Sequence, residues 1–206
     1  MGNKVYIVGT DWGDSFYKMF TNHGWEATRD LLSADLIQFT GGEDVSPCLY
    51  GEEKHQYTDN ELRRDVIEAG YYQVGKLLGK KMAGVCRGGQ FLNVMNGGKM
   101  YQHVDGHAIS HTHKATLYDG TEWAVTSTHH QMMRVAVGGK VLLTADECTY
   151  KQTDTMEFEG NGVDCEAIFY EQTNSLCYQP HPEIVRKGHE CQTLYFQLIK
   201  DMLSLS

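Results

Sequence analysis

Cys86 lies in the run Gly84-Val85-Cys86-Arg87-Gly88, the spacing of a nucleophile elbow, with a thiol where other hydrolases carry a hydroxyl. An elbow delivers its nucleophile from the end of a strand to the start of a helix in a strained backbone conformation. A large side chain on either side would clash, which accounts for the two glycines. At the start of a helix the first N–H groups and the helix dipole favour a thiolate and can supply half of an oxyanion hole. His181-Pro182-Glu183 is the second candidate. Positions two apart in an extended chain face the same way, so His181 can act as the base toward Cys86 while Glu183 fixes the tautomer and orientation of the imidazole. Pro182 restricts the backbone between them. Each piece alone has a plainer explanation: a buried cysteine beside a glycine-rich turn, or a solvated His and Glu on a surface turn. Their joint occurrence points to acyl transfer on a cysteine nucleophile.

Strands alternating with helices must hold these residues. Residues 5–8, 36–39 and 82–85 read as short buried strands, and 15–22 and 88–95 as helices. Asp59 is placed to cap a helix in which Leu62, Val66, Ala69, Leu77 and Leu78 recur at near-helical spacing, ending by Gly79. After about residue 114 the composition favours strands, at 114–118, 122–126, 141–145, 167–170 and 176–178. A closing helix has Tyr195, Leu198, Ile199 and Met202 on one face. The expectation is one α/β domain over residues 1–206, with a mostly parallel sheet covered on both faces and the chemistry at the carboxyl ends of its strands.

The chain carries 18 Lys plus Arg against 27 Asp plus Glu, a formal charge of -9. That average repels nucleic acid and anionic membrane surfaces. No stretch resembles a membrane span or a signal peptide, so the expected location is cytoplasmic. The six cysteines, at 48, 86, 148, 165, 177 and 191, form no CxxC pair and are expected as reduced thiols.

Taken with further landmarks, the chain resembles the class I glutamine amidotransferase-like superfamily, and within it the γ-glutamyl hydrolase group (peptidase C26-like) that includes γ-glutamyl-GABA hydrolases. The landmarks are Gly41-Gly42-Glu43-Asp44-Val45-Ser46-Pro47 with Tyr50-Gly51, Arg64-Asp65 and Glu68, the elbow continuing through Gly89-Gln90, Asn93-Val94 with Gly97-Gly98, Tyr101-Gln102, Ser127 with His129 and Gln131, and the His181 triplet. The resemblance implies a flavodoxin-like sheet and a γ-glutamyl thioester on Cys86 that water resolves. By the same resemblance His181 is general base and then acid, Glu183 its orienting carboxylate, and the backbone N–H groups of Gly42 and Arg87 the oxyanion hole. Gln90 and His129 match residues that contact the glutamyl group or line its pocket, although Gln90 also reads as a helix residue packed beneath the elbow. Arg64, Asp65 and Glu68 read as a structural ion-pair set. Pro180 departs from the pattern, which often has an aromatic residue before the triplet.

No cofactor is implied. The expected ligand is a small γ-glutamyl amide hydrolysed to glutamate. Two other readings stay open: a glutaminase subunit that passes ammonia to a separate synthetase partner, and an inactive binding relative. The sequence leaves room for a homodimer. Outside the resemblance, His103, His107, His111 and His113 crowd one segment with Asp105. That density suits zinc, but no cysteine lies nearby and Gly106 and Ser110 indicate a loop. The expectation is therefore no metal, with the histidines solvated.

Overall fold

The computed structural model describes residues 2–9, 13–145, 150–152, 157–159 and 164–205. Cys148 lies outside them, and the other five cysteines are free thiols. In chain order the elements are β1 (Lys4–Val8), α1 (Gly13–Asn22), β2 (Glu26–Ala27), β3 (Leu36–Phe39), α2 (Leu62–Leu77), β4 (Lys81–Val85) and α3 (Arg87–Met95). There follow β5 (Lys99–Tyr101), β6 (His103–Val104), β7 (Ala108–Leu117), β8 (Glu122–Thr128), β9 (Met132–Arg134) and β10 (Gly139–Ala145). The last are β11 (Tyr150–Gln152), β12 (Glu157–Glu159), β13 (Asp164–Tyr170), β14 (Ser175–Tyr178) and α4 (Glu190–Leu203).

The main sheet has the order β2-β1-β3-β4-β14-β13-β10-β7-β8. Its neighbours are parallel from β2 to β14 and antiparallel from β14 to β8. The α/β, flavodoxin-like class is borne out, in a mixed sheet whose second half is antiparallel. The strand-rich composition after residue 114 reflects that half.

Burial on both faces explains why β3, β4 and β14 are mostly apolar along their length. Leu36, Ala83, Val85, Leu176 and Tyr178 pack on one face with Phe16 and Phe20 of α1 and Leu194 and Leu198 of α4. Ile37, Phe39, Met82 and Cys177 pack on the other with Tyr72 of α2 and Phe91 and Leu92 of α3. The C-terminal helix buries Tyr195, Leu198 and Ile199 as its spacing requires.

α2 departs from its reading. Its cap residue is Glu61, with no side-chain cap bond, while Asp59 instead donates its N–H to Asp44 Oδ2 (2.9 Å). Leu62, Val66 and Leu77 are exposed, and the face turned inward carries Asp65, Glu68, Tyr72 and Gly75. A helix that buries two carboxylates needs cationic partners; they come from Arg64 and Arg87.

Candidate active site

Three segments meet at the carboxyl ends of β3, β4 and β14. Cys86 follows β4 at φ 50°, ψ −115°, a conformation that costs an L-residue free energy and persists only where its surroundings enforce it. Cys86 N–H donates to Tyr178 O (2.8 Å) and its carbonyl accepts from Gln90 N–H (2.9 Å). A Cβ at Gly84 would lie 2.2 Å from Gly88 O, and one at Gly88 would lie 2.4 Å from Phe39 O. The two glycines of the elbow are therefore places where backbone meets backbone.

His181 follows β14. Its Nδ1 is 2.6 Å from Glu183 Oε1, which directs the other ring nitrogen away from that carboxylate and toward the thiol of Cys86. The loop is tied down by His181 N–H to Thr126 Oγ1 (2.7 Å) and by Gln192 Nε2 to Pro182 O (2.8 Å). Burial opposes charge on the ring, but Cys86 and Glu183 outweigh it and lift the His181 imidazolium to about 11. Burial acts alone or dominates at other thiols, pushing Cys165 up to about 11 and raising Cys177 and Cys191.

The loop after β3 completes the arrangement. A Cβ at Gly41 would lie 3.1 Å from His181 Cε1 and 3.8 Å from Cys86 Cβ, so this backbone lies against both side chains. Arg64 Nη2 donates to Gly41 O (2.8 Å). Across a planar trans peptide the C=O and N–H point in opposite directions, so the Gly42 N–H is turned away from Arg64. Arg87 opens α3, and an α-helix leaves the N–H groups of its first turn without intrahelical acceptors. The N–H groups of Gly42 and Arg87, the expected oxyanion donors, are thus backbone groups beside Cys86.

Arg87's side chain runs into the interior, where it is paired with Asp65 and Glu68. Burial and the nearby Arg64 lower its guanidinium to about 10. Arg64 bridges Glu68 (2.8 Å) and Glu43 (2.9 Å). The ion-pair set read from α2 therefore reaches further than i,i+4 pairing, fastening the elbow and the Gly41-Gly42 turn to one helix.

A cavity of about 160 Å³ opens over Cys86, lined also by Gly42, Glu43, Asp44, Asp59, Gln90 and residues 128–131. Gln90 sits both beneath the elbow and at the cavity, its Nε2 donating to Gln179 Oε1 (3.2 Å). His129 lines the cavity but turns its ring inward, with Nδ1 2.9 Å from Gln131 O and Nε2 3.4 Å from Glu166 Oε1. His130, 3.3 Å from Asp44 Oδ2, flanks the opening instead. The acidic rim of Glu43, Asp44 and Asp59 escaped the sequence reading. Its signals there were Glu43 and Asp44 within the GGEDVSP run and Asp59, read instead as a helix cap. Of the histidine-rich segment, His103 pairs with Asp105 (3.6 Å) and His111 is exposed, whereas His107 is buried beside Asp164 and Glu166. The expectation that these histidines are solvated thus fails for His107.

Residues 21–144 match the family model described as Peptidase C26. The glutamine amidotransferase-like protein YvdE of Lactococcus lactis subsp. lactis (strain IL1403) is 30% identical over 173 residues, 74% of this chain and 67% of that one. Protein NtpR of Enterococcus hirae is 30% identical over 130 residues, 52% of this chain, and the match spans about half (54%) of its length. Among solved structures, a GMP synthase subunit from Thermoplasma acidophilum has a TM-score of 0.68 at 14% identity, covering 99% of this chain and 96% of that one. A glutamine amidotransferase of Thermotoga maritima has a TM-score of 0.58 at 11% identity, over 99% and 85%. These structural likenesses show the fold. Among the described residues, no helix is long and apolar enough to cross a membrane.

Proposed function

Because the chain belongs to the Peptidase C26 family, within the class I glutamine amidotransferase superfamily of amide hydrolases, we propose that it cleaves a γ-glutamyl amide through a thioester on Cys86. The observation that carries this reading is the joint placement of Cys86 at a strained strand-to-helix turn and a His181–Glu183 pair at 2.6 Å. In the proposed cycle the Cys86 thiolate attacks the γ-carbonyl carbon, and the oxyanion that forms lies against the N–H groups of Gly42 and Arg87. Each such donor contributes about 2.7–4 kcal/mol to the transition state. The His181 imidazolium then protonates the leaving amine as the C–N bond breaks, leaving a γ-glutamyl thioester. Neutral His181 next takes a proton from water, whose oxygen attacks the thioester. Glutamate leaves and the thiolate–imidazolium pair is restored. The acidic rim suits the ammonium of a glutamyl headgroup, with Gln90 at the cavity floor. Residues 1–206 act in this proposal as one catalytic domain.

One observation favours a second reading, a glutaminase subunit that feeds a separate synthetase: the fold likeness to the GMP synthase protein of Thermoplasma acidophilum. Steady-state glutamate release separates the two, measured on glutamine and on a panel of γ-glutamyl amines with Cys86→Ala as blank. Faster release from the amines than from glutamine, with a trapped γ-glutamyl adduct on Cys86 by mass spectrometry, is the expected result. Silence on every amine, with glutaminase activity appearing only when a partner is added, would select the second reading. Silence under all conditions would leave an inactive binding relative.

A further inference from the structure

Behind the cavity wall, in the antiparallel half of the sheet, imidazoles gather around a single carboxylate. Glu166 on β13 is fully buried. Its Oε1 lies 3.2 Å from His107 Nδ1, 3.4 Å from His129 Nε2 and 3.5 Å from His113 Nε2. His107 precedes β7, His113 is within it, and His129 follows β8. Among the described residues, neither oxygen of Glu166 has a hydrogen-bond partner, nor does His129 Nε2, although these atoms are buried.

Hydrogen bonding alone explains this poorly. An oxygen with two in-plane lone pairs does not accept three N–H bonds while its twin accepts none. The far side of each ring also matters. His107 Nε2 is 2.7 Å from Asp164 Oδ2, and His129 Nδ1 is 2.9 Å from Gln131 O. Those acceptors draw the protons of the neutral rings outward, so that His107 Nδ1 and His129 Nε2 present lone pairs to a carboxylate oxygen. Ser127 Oγ, 3.3 Å from His107 Nδ1, donates its own hydrogen to His107 O (2.6 Å) and so does not satisfy that nitrogen. Lone pairs converging in a dry interior are met either by a proton, which Asp164 and Glu166 hold on His107 against the cost of burial, or by a metal ion that takes its place between them. The positive side chain nearby, Lys151, is engaged 2.7 Å from Asp164 Oδ1.

The spacing identifies what fits. With zinc at about 2.0–2.1 Å from nitrogen and about 2.0–2.2 Å from oxygen, neighbouring ligands of a tetrahedron stand about 3.3–3.4 Å apart. The distances from Glu166 Oε1 to His107 Nδ1 and His129 Nε2 match that edge, and the donor atoms of His107, His129 and Glu166 lie within 4.8 Å of one another; His113 Nε2, 3.5 Å from the same oxygen, falls outside that group. Ligating histidines characteristically give their second N–H to a carboxylate or a backbone carbonyl, the roles of Asp164 and Gln131 here. We propose that His107, His129 and Glu166 form a buried zinc site, three protein ligands on one ion. The ion ties the segments around β7, β8 and β13 together and fixes residues 128–131, a wall of the cavity. This inference is independent of the reaction proposed above.

The test titrates zinc(II) into chelator-stripped Cys86→Ala protein, which lacks the thiolate that would otherwise compete for the ion. A chromophoric chelator reports affinity, and elemental analysis of the dialysed protein reports stoichiometry. One zinc per chain is expected, with a rise in melting temperature that a chelator reverses. Glu166→Gln and His129→Ala should each weaken binding at least about tenfold, Asp164→Asn should weaken it about 10–100-fold as a lost outer-shell partner does, and His111→Ala, on the same strand, should leave it unchanged. The melting shift is read on protein with all three ligands, so it decides even where a ligand variant fails to fold. Substoichiometric zinc with no melting shift would overturn the site. So would equal affinity in Glu166→Gln and the parent, or an equal loss in His111→Ala.

Discussion

The parallel and antiparallel halves of the sheet bury charge in opposite ways. In the parallel half, Arg87 and Arg64 share Asp65, Glu68 and Glu43 between them, and the network ends on backbone that flanks Cys86. In the antiparallel half, Asp164 takes Lys151, while Glu166 is surrounded by imidazoles whose outer nitrogens are engaged elsewhere. Permanently charged guanidinium groups hold one half in a fixed state; the other depends on protons or an ion that can be exchanged. The strained elbow belongs with the first kind, because Cys86 at φ 50° tolerates little movement beneath it.

The largest effects should follow from cutting the chemistry out of the parallel half. Cys86→Ala should lower kcat on the order of 10⁶-fold, while Glu183→Gln, which keeps the base but loses its orientation, should cost on the order of 10⁴-fold. Single-turnover glutamate release measures both, and wild-type rates in Cys86→Ala would remove this half from the mechanism. Smaller effects should separate the halves by stability. Arg87→Leu leaves Asp65 without its cation and Glu68 with Arg64 alone, and should cost about 3–5 kcal/mol in denaturant unfolding. Lys114→Ala breaks an exposed pair with Glu122 in the antiparallel half and should cost about 0–1 kcal/mol. Similar losses would erase the contrast drawn between them.

The mildest test is titration. His181 is raised from 6.5 to about 11, so the native state holds its proton more tightly than the unfolded chain does. The stability this confers is fully present below pH 6.5 and drains away as pH rises through about 11. The groups facing the ring are Cys86 and Glu183. With Cys86 as a thiolate, folding below about pH 8.5 only moves a proton from sulfur to the ring, so the stability of wild type relative to His181→Asn should fall from about pH 8.5 upward, on the order of 1.4 kcal/mol per pH unit at most. A flat difference above that pH would mean that the imidazolium is not held.

How far the sequence foretold this follows the same division. The elbow, the His-Pro-Glu triplet and the apolar strands around them were legible because each is local: strain, spacing and period act within a few residues. α2 was found by spacing but faced the wrong way, since Arg87, the partner of its buried carboxylates, lies 22 residues from Asp65 in the chain. The cluster around Glu166 was beyond reach for the same reason. His107 and His113 drew notice as neighbours in sequence, but Glu166 stands 59 residues after His107 in the numbering, and nothing in the run 164–170 marks its acid as a partner. The acidic rim combines residues from two loops that only tertiary structure joins.

Arg64 has a consequence beyond its ion pairs. Its guanidinium grips Gly41 O and Thr40 O from behind (2.8 and 3.2 Å) and occupies the space that any side chain at position 42 would need, 2.0 Å from a Cβ built there. The 41–42 peptide can rotate only if that grip is released. An enzyme that waits for a partner needs a part whose resting position is wrong and can be corrected. Here that part is latched from the rear by Arg64, and the latch reaches solvent through Glu43, whose side chain is 37% exposed.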